Sequence, residues 1–186
     1  MILSDKHIKE KINSGQLIIE PYDASCLQPA SYDLHLDNEF KIFKKNENIL
    51  IDPKKPVAEM MEDIHIEDDG FFIIHPNDFV LGLIKEKTGV DNSHVGRLEG
   101  KSSLARLGLL IHTTAGFLDA GNCLKLTLEL FNASSLPIKL YPGMKIAQIA
   151  FEQLSSECDV PYGSESLGSK YYKSDKIDAS RMHENF

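Results

Sequence analysis

The sequence predicts a mainly β fold, an all-β barrel or sandwich with a short N-terminal helix. Three observations carry this. Residues 124–131 alternate strictly, with Leu124, Leu126, Leu128 and Leu130 set against Lys125, Thr127, Glu129 and Phe131, the period of a half-buried strand. Short apolar runs recur at close spacing, separated by Pro, Gly, Asn and Asp turns. No repeat of about 20–50 residues interrupts this pattern.

The elements follow in order. Ser4 and Asp5 are placed to cap a helix; Ile8 and Ile12 lie one turn apart, and Gly15 sits at its stop. Leu17 to Glu20 is a short strand ending at Pro21. Gln28-Pro29-Ala30 is a turn feeding a strand over Ser31 to Leu36. Phe40 to Phe43 and Ile49 to Ile51 read as edge strands, and the Pro- and acid-rich stretch 52–69 holds a turn or short strand near Ile64. Phe71 to Ile74 precedes a turn at His75-Pro76-Asn77-Asp78. Phe79 to Glu86 and Val95 to Leu98 are further strands. Residues 102–107 suit one helical turn with Leu104 and Leu107 toward the core. Pro142-Gly143 turns the chain between Ile138 to Leu140 and Ile146 to Phe151. Residues 1–154 form the barrel. Residues 155–186, rich in Ser, Gly, Tyr, Lys and Asp, are a C-terminal tail: either a flexible extension or a lid that orders over ligand.

Composition bounds the function. A chain of 186 residues with 42% hydrophobic residues, 9 Phe and 6 Tyr suits one domain with a respectable core. Its net charge of −8 argues against a general nucleic-acid binder, so an anionic ligand needs local positive charge or a metal ion. Cys26, Cys123 and Cys158 are far apart and odd in number, which fits a reducing compartment rather than a disulfide framework. The first residues show no apolar signal-peptide core, and no apolar run is long enough to span a membrane. A cytoplasmic protein is the expectation.

The chemistry-bearing residues gather between Gly100 and Asn132. On one helical turn, Ser102 and Ser103 can share a face with Arg106, at i, i+4 and i, i+3, and Lys101 precedes them. Exposed N–H groups at the turn's start, a guanidinium fork and an ammonium point charge together suit phosphate oxygens. Spacing alone leaves a capped turn with solvated charges open. A Walker A loop does not fit, because Gly96 and Gly100 enclose one residue too few and no βαβ pattern surrounds them. Alternation puts Lys125 and Thr127 on the face of Glu129. Glu129 is either a solvated strand carboxylate or a general base that activates water. Asp119 is either a local backbone acceptor or a ligand for a sugar hydroxyl or a water. His112 reads as a structural hydrogen-bonding group. His65-Ile66-Glu67 matches half of the zinc-deaminase pattern, but the Pro-Cys-x-x-Cys half is missing, so zinc is not expected. Together these groups suit the binding and hydrolysis of a nucleoside triphosphate.

At this point the residues resemble a family. Glu99-Gly100-Lys101-Ser102-Ser103-Leu104-Ala105-Arg106-Leu107-Gly108-Leu109 is similar to the signature of the dCTP deaminases, relatives of the trimeric dUTPases. So are Thr114-Ala115-Gly116 with Asp119, Thr127-Leu128-Glu129, Pro142-Gly143-Met144, Met1-Ile2-Leu3-Ser4, Gln28 to Leu34, Pro161-Tyr162 and Ser169-Lys170-Tyr171. The resemblance spans nearly the whole chain, with its motifs in order. It implies a distorted β-barrel of the dUTPase-like (β-clip) kind, in a homotrimer with sites between subunits. It further implies zinc-free hydrolytic deamination of dCTP, with Mg2+ carried by the triphosphate. Glu129 becomes the general acid/base. Lys101, Ser102, Ser103, Leu104, Ala105 and Arg106 bind the triphosphate, and Asp119, Thr127, Leu128, Gln148, Tyr162, Lys170 and Ser174 contact base, sugar or phosphate.

Gly116 and Phe117 resemble members that continue to dUMP and diphosphate for thymidylate synthesis; those that stop at dUTP typically carry His at the first of these positions. Glycine there would leave space for a second water and permit unusual backbone angles. The alternatives are a deaminase that releases dUTP, or a dUTP diphosphatase alone. No nucleic acid or membrane is implied as a partner. Three departures stand out: Gly121-Asn122-Cys123-Leu124 replaces the usual Gly-Phe-x-Gly, His35 stands where Arg is common, and Ser174 stands where a nucleotide-contacting Gln is usual.

Overall fold

A computed structural model describes residues 1–44, 50–112 and 114–186 of the chain. Helix α1 (Asp5–Asn13) buries Ile8 fully and Ile12 in part. Ser4 takes the N-cap position, although its hydroxyl makes no capping bond. The helix ends as expected at Gly15, whose φ of +77° is the left-handed conformation that glycine adopts without cost.

Twelve strands follow among the described residues: β1 (Leu17–Glu20), β2 (Leu27–Gln28), β3 (Ser31–Phe43), β4 (Met61–His65), β5 (Phe72–Ile74), β6 (Phe79–Val90), β7 (His94–Gly100), β8 (Leu109–Leu110), β9 (Phe117–Leu118), β10 (Cys123–Asn132), β11 (Ile138–Leu140) and β12 (Lys145–Gln153). The one-turn helix α2 (Ser102–Ala105) lies between β7 and β8. Ten strands make one curled, half-barrel sheet in the order β8-β10-β6-β3-β12-β7-β9, with β1 beside β6 and β2 and β4 beside β3. Strands β5 and β11 form a separate ribbon.

The curl originates in β3. Its first half lies against β12, with Tyr32 to His35 opposite Ile149 to Lys145. Farther along, Phe40 and Lys41 lie opposite Gly82 and Leu81 of β6. The register shifts between Leu36 and Phe40, and again on β12 between Lys145 and Ala147. Such bulges bend a strand and sharpen its twist. Sequence reading divides β3 into Ser31 to Leu36 and Phe40 to Phe43; in the structure the polar residues between them, Asp37-Asn38-Glu39, are where the register shifts. Phe40 to Phe43 is therefore interior rather than an edge, since β4 flanks it and Phe40 also pairs with β6.

Two other expectations change. Ile49 lies outside the described residues, and residues 50–51 are not strand. Leu104 packs against the core, but Leu107 is 58% exposed. The helix stops at Ala105, and Gly108 turns the chain with a φ of +88°, which swings Leu107 outward. Strands β8 and β9 escaped the sequence reading because two residues cannot display a period.

The core is built from the inward faces of the long strands. Tyr32, Leu34, Leu36, Phe40, Leu128, Leu130, Ile149 and Phe151 are fully buried. Burial of each large aliphatic among them contributes about 1.5–3 kcal/mol relative to exposure. Phe40 stacks on Phe72 with ring centres 4.5 Å apart, joining the ribbon to the sheet. Where β10 ends, the buried Asn132 side chain donates to the carbonyls of Ile74 and Leu136 and accepts from Ser134. Among the described residues no helix is long and apolar enough to cross a membrane.

After Gln153 the tail runs back over the same sheet. The amides of Cys158 and Tyr162 donate to the carbonyls of Asn92 and Ala120, and Lys125 of β10 donates its amide to the Ser174 carbonyl. Ile177 is buried beside Met61, Leu81 and Leu83. Composition gave no sign of this anchor, because one isoleucine in a polar stretch has no period.

Asp91 ties α1 to the loop between β6 and β7. It accepts from Gln16, from the amide and hydroxyl of Ser93, and from the ring of fully buried His94 at 2.7 Å. Burial alone would raise its pKa, but the bonds from His94, Ser93 and Gln16 outweigh that and hold it at about 2, against an ordinary 3.8. A depressed carboxyl pKa contributes stability that is complete above the ordinary value and is lost as pH falls toward 2. Asp91→Asn should therefore lower the melting temperature at pH 7, costing about 1–3 kcal/mol. It should also flatten the acid decline in stability below an ordinary carboxyl pKa of 3.8. Thermal denaturation across this pH range measures both effects.

Candidate active site

Strand β9, at one end of the sheet path, and β10, next to its other end, line one cleft of about 430 Å³. Leu118, Leu124, Leu126, Phe79 and Leu81 give it apolar walls, and Asp119, Thr127 and Glu129 project polar groups into it. Strict alternation would put only every second residue of β10 at the cleft. A register shift between Lys125 and Thr127 breaks that alternation, so Leu124 and Leu126 line it together with Lys125, Thr127 and Glu129. The Lys125 ammonium turns to Asp37 at 2.8 Å. Leu128 packs its side chain into the core, which leaves only its backbone for a ligand.

The Glu129 amide donates to the Ile111 carbonyl, fixing this edge of β10 next to β8 while β6 pairs along its other edge. Asp119 stands across the cleft on the turn after β9. Although the residue keeps contact with solvent, desolvation of its carboxyl pushes the pKa above the ordinary 3.8. Phe117 lines the same cleft and is 56% exposed.

The backbone at Gly116 differs from what sequence reading expects of a glycine there. Its φ lies outside the left-handed region. A Cβ there would meet the Leu98 carbonyl oxygen at 2.7 Å and the His112 ring at 3.1 Å, so the glycine opens no space for water. Instead it lets the turn press against β7, where the Leu98 amide donates to the Gly116 carbonyl at 2.7 Å.

The departure at 121–124 also finds a physical reason. Gly121 has φ of +84°, and a Cβ there would stand 2.6 Å from Pro161. The bare turn lets the tail cross and bring Tyr162 into the cleft, where Tyr171 and Ser174 join it. Buried Asn122 accepts from the amides of Cys123 and Lys173, pinning the tail to the turn. The Ser174 hydroxyl donates to Asp178 and the Lys176 carbonyl. At His35, the ring Nδ1 lies 2.5 Å from buried Glu86 and the amide donates to the same carboxylate, serving an anion that an arginine could also serve.

The other predicted residues form a second group. Lys101, at the end of β7, holds Asp33 at 2.5 Å; Lys145 meets the other Asp33 oxygen at 3.3 Å, and this bond raises the lysine's pKa. Gln148 donates to the Gly100 carbonyl and accepts from the Ser31 hydroxyl. Ser102, Ser103, Ala105 and Arg106 are exposed on α2. None of these side chains lines the Glu129 cleft of its own chain, nor does Lys170, whose ammonium reaches Asn185.

Residues 2–154 match the model of the dCTP deaminase-like family. The chain belongs to that family. It is 48% identical to a Corynebacterium jeikeium protein named "dCTP deaminase, dUMP-forming", over 100% of this chain and 99% of the other. A Corynebacterium kroppenstedtii protein of the same name is 47% identical over the full length of both. Among solved structures, the 2'-deoxycytidine 5'-triphosphate deaminase of Agrobacterium tumefaciens superposes with a TM-score of 0.62 at 20% identity, covering 81% of this chain and 46% of that one. At that identity the likeness establishes the dUTPase-like fold and no more.

The cleft adds residues that sequence reasoning did not single out as ligands: Asn122, Tyr171 and Asp178. Only Tyr171 carried a signal, as part of the Ser169-Lys170-Tyr171 motif; Asp178 sits in a polar stretch with no pattern around it. Because the Gly116 contact is to backbone, Gly116→Ala should displace the turn from β7 and destabilise the protein by about 1–3 kcal/mol, the usual cost of overpacking, as thermal denaturation will show.

Proposed function

We propose that the protein hydrolyses dCTP twice, so that dCTP and two waters give dUMP, diphosphate and ammonia. The observation that carries this is Glu129 with Thr127 and Asp119 in an apolar-walled cleft. End-to-end identity of 47–48% with relatives named dUMP-forming dCTP deaminases supports it.

The amino group of cytosine leaves only after water has added at C4 and a proton has been delivered. Glu129 accepts the proton of the attacking water and passes it to the ring N3. It then relays a proton to the departing ammonia as the C4 carbonyl forms. Apolar walls around this carboxylate keep other water from competing. In the second hydrolysis, Asp119 orients a water toward the α-phosphorus and accepts its proton. The bond to the bridging oxygen breaks, and diphosphate leaves. Desolvation of Asp119 makes it a better base for this step.

The donors for the triphosphate are Lys101, Ser102, Ser103, Arg106 and the amides around Leu104 and Ala105. α2 does not line the cleft of its own chain, which supports a homotrimer in which α2 of one subunit meets the cleft of another. Thr127, the Leu128 backbone, Gln148, Tyr162, Lys170 and Ser174 complete the contacts, with residues 1–154 as the barrel and 155–186 as its cover. Magnesium travels with the nucleotide. Phosphate oxygens and water would hold the ion, as they commonly do for magnesium on a nucleotide. When bound, it neutralises charge on the phosphate oxygens. The three free cysteines suit work in the cytoplasm.

Phosphorus NMR of dCTP turnover in magnesium buffer should show diphosphate and dUMP forming together. Stoichiometric build-up of dUTP would reduce the activity to deamination alone. Glu129→Gln should lower ammonia release by at least about a hundredfold, the usual scale for a lost general base, while retaining nucleotide affinity. Near-normal release would remove Glu129 from the mechanism. Refolding Glu129→Gln together with Arg106→Ala should restore activity that neither variant has alone, because mixed trimers contain some intact sites. No recovery, or a monomer by light scattering, would contradict the shared site.

A further inference from the structure

We infer that Arg181 is a positioning residue, a latch that holds the cleft-facing part of the tail and so sets how tightly nucleotide is retained. This rests on the reading of the Glu129 cleft as the nucleotide site. The guanidinium divides its fork: Nη1 donates to the Lys170 carbonyl at 2.7 Å, and Nη2 donates to Asp178 at 2.9 Å. The Arg181 amide donates to the Tyr171 hydroxyl at 3.0 Å, while the guanidinium lies 5.8 Å from the centre of the Tyr171 ring. One residue thus joins the two ends of the segment 170–181 and closes it into a ring.

The residues it grips are those the tail presents to the cleft. Tyr171, Ser174 and Asp178 all line the cavity with Glu129. Asp178 takes the Ser174 hydroxyl on one oxygen and Arg181 on the other. Its side chain is 10% exposed, so removal of its cation would leave a largely desolvated carboxylate without an ionic partner in the described chain. Elsewhere this segment is held by the buried Ile177, the Lys125–Ser174 backbone bond and the Lys87–Asp175 pair. Those contacts fasten it to the barrel; Arg181 fixes its internal shape. A lysine could not replace it, because one ammonium cannot span a carbonyl and a carboxylate as a planar fork does.

The test uses the full-length protein with Arg181→Ala, Arg181→Lys and Tyr171→Phe. Chymotrypsin cleavage after Tyr171 and Tyr172 reports the tail, and steady-state kinetics with dCTP report the site. Arg181→Ala should raise KM about tenfold, on the scale of one lost charge-assisted contact, with kcat changed less than about twofold. It should also speed cleavage while leaving the melting temperature of the barrel unchanged. Arg181→Lys should fail to rescue either readout. Tyr171→Phe, which spares the fork, should shift both in the same direction by less. Wild-type KM and cleavage in Arg181→Ala would overturn the assignment, as would a fall in kcat at constant KM. If the wild-type protein fails to turn over dCTP, the proposed function falls, while the cleavage rates still decide whether Arg181 holds the tail.

Discussion

The structure depends on one strand serving two half-sheets. A flat β3 would carry its neighbours into an open sheet with β8 and β9 far apart. The bulge between Leu36 and Phe40, answered on β12 by that between Lys145 and Ala147, bends the strand so that opposite ends of the path approach each other. Tyr32, Leu34, Leu36 and Phe40 stay fully buried through the bend, so the strand changes partners without giving up its hydrophobic face. The cleft between β9 and β10 is the geometric remainder of that incomplete closure.

Around this cleft, several backbone hydrogen bonds fix the segments that carry the polar groups. Glu129 is placed by its amide on Ile111, the turn before Phe117 by the bond between Leu98 and Gly116, and the tail by amides on Ala120 and from Lys125. Two bare positions make the close approaches feasible. Gly116 lets a turn touch β7, and Gly121 lets Pro161 cross the turn before β10. The carboxylates are thereby presented on a rigid frame, the condition under which a general base keeps its geometry through a reaction. Lys101 and Arg106 belong to a different part of the surface from the Glu129 cleft.

Much of this was legible in sequence where a period or a turn carried it. The alternation of 124–131 located β10 and the face of Glu129, and Pro142-Gly143 located the turn before β12. What escaped depends on departures from period. β3 reads as two strands because the polar stretch Asp37-Asn38-Glu39 breaks the apolar run, where the structure instead shifts register. Leu126 reaches the cleft only because of a register shift that no pattern announces. The tight packing at Gly116 is not legible locally, because the carbonyl pressed against it belongs to Leu98, on a strand brought there by the fold and not by nearby sequence. Lys101 was legible as a cation, but its partner Asp33 is 68 residues away. Ile177 and Asp178 lacked any local signal.

That pairing of Lys101 and Lys145 with one carboxylate carries a consequence for traffic through the protein. Asp33 is only 3% exposed and stands between two ammonium groups that would otherwise repel each other. It acts as a resident counter-ion, already seated before any polyanion arrives. Under the proposed function, an incoming triphosphate would find the lysines aimed and partly neutralised, and the directions of the remaining N–H bonds would matter more than bulk attraction. On departure it leaves no bare cluster of positive charge behind. In a chain of net charge −8, such an internal place-holder makes arrival and release comparably easy, which suits a protein that must empty itself at every cycle.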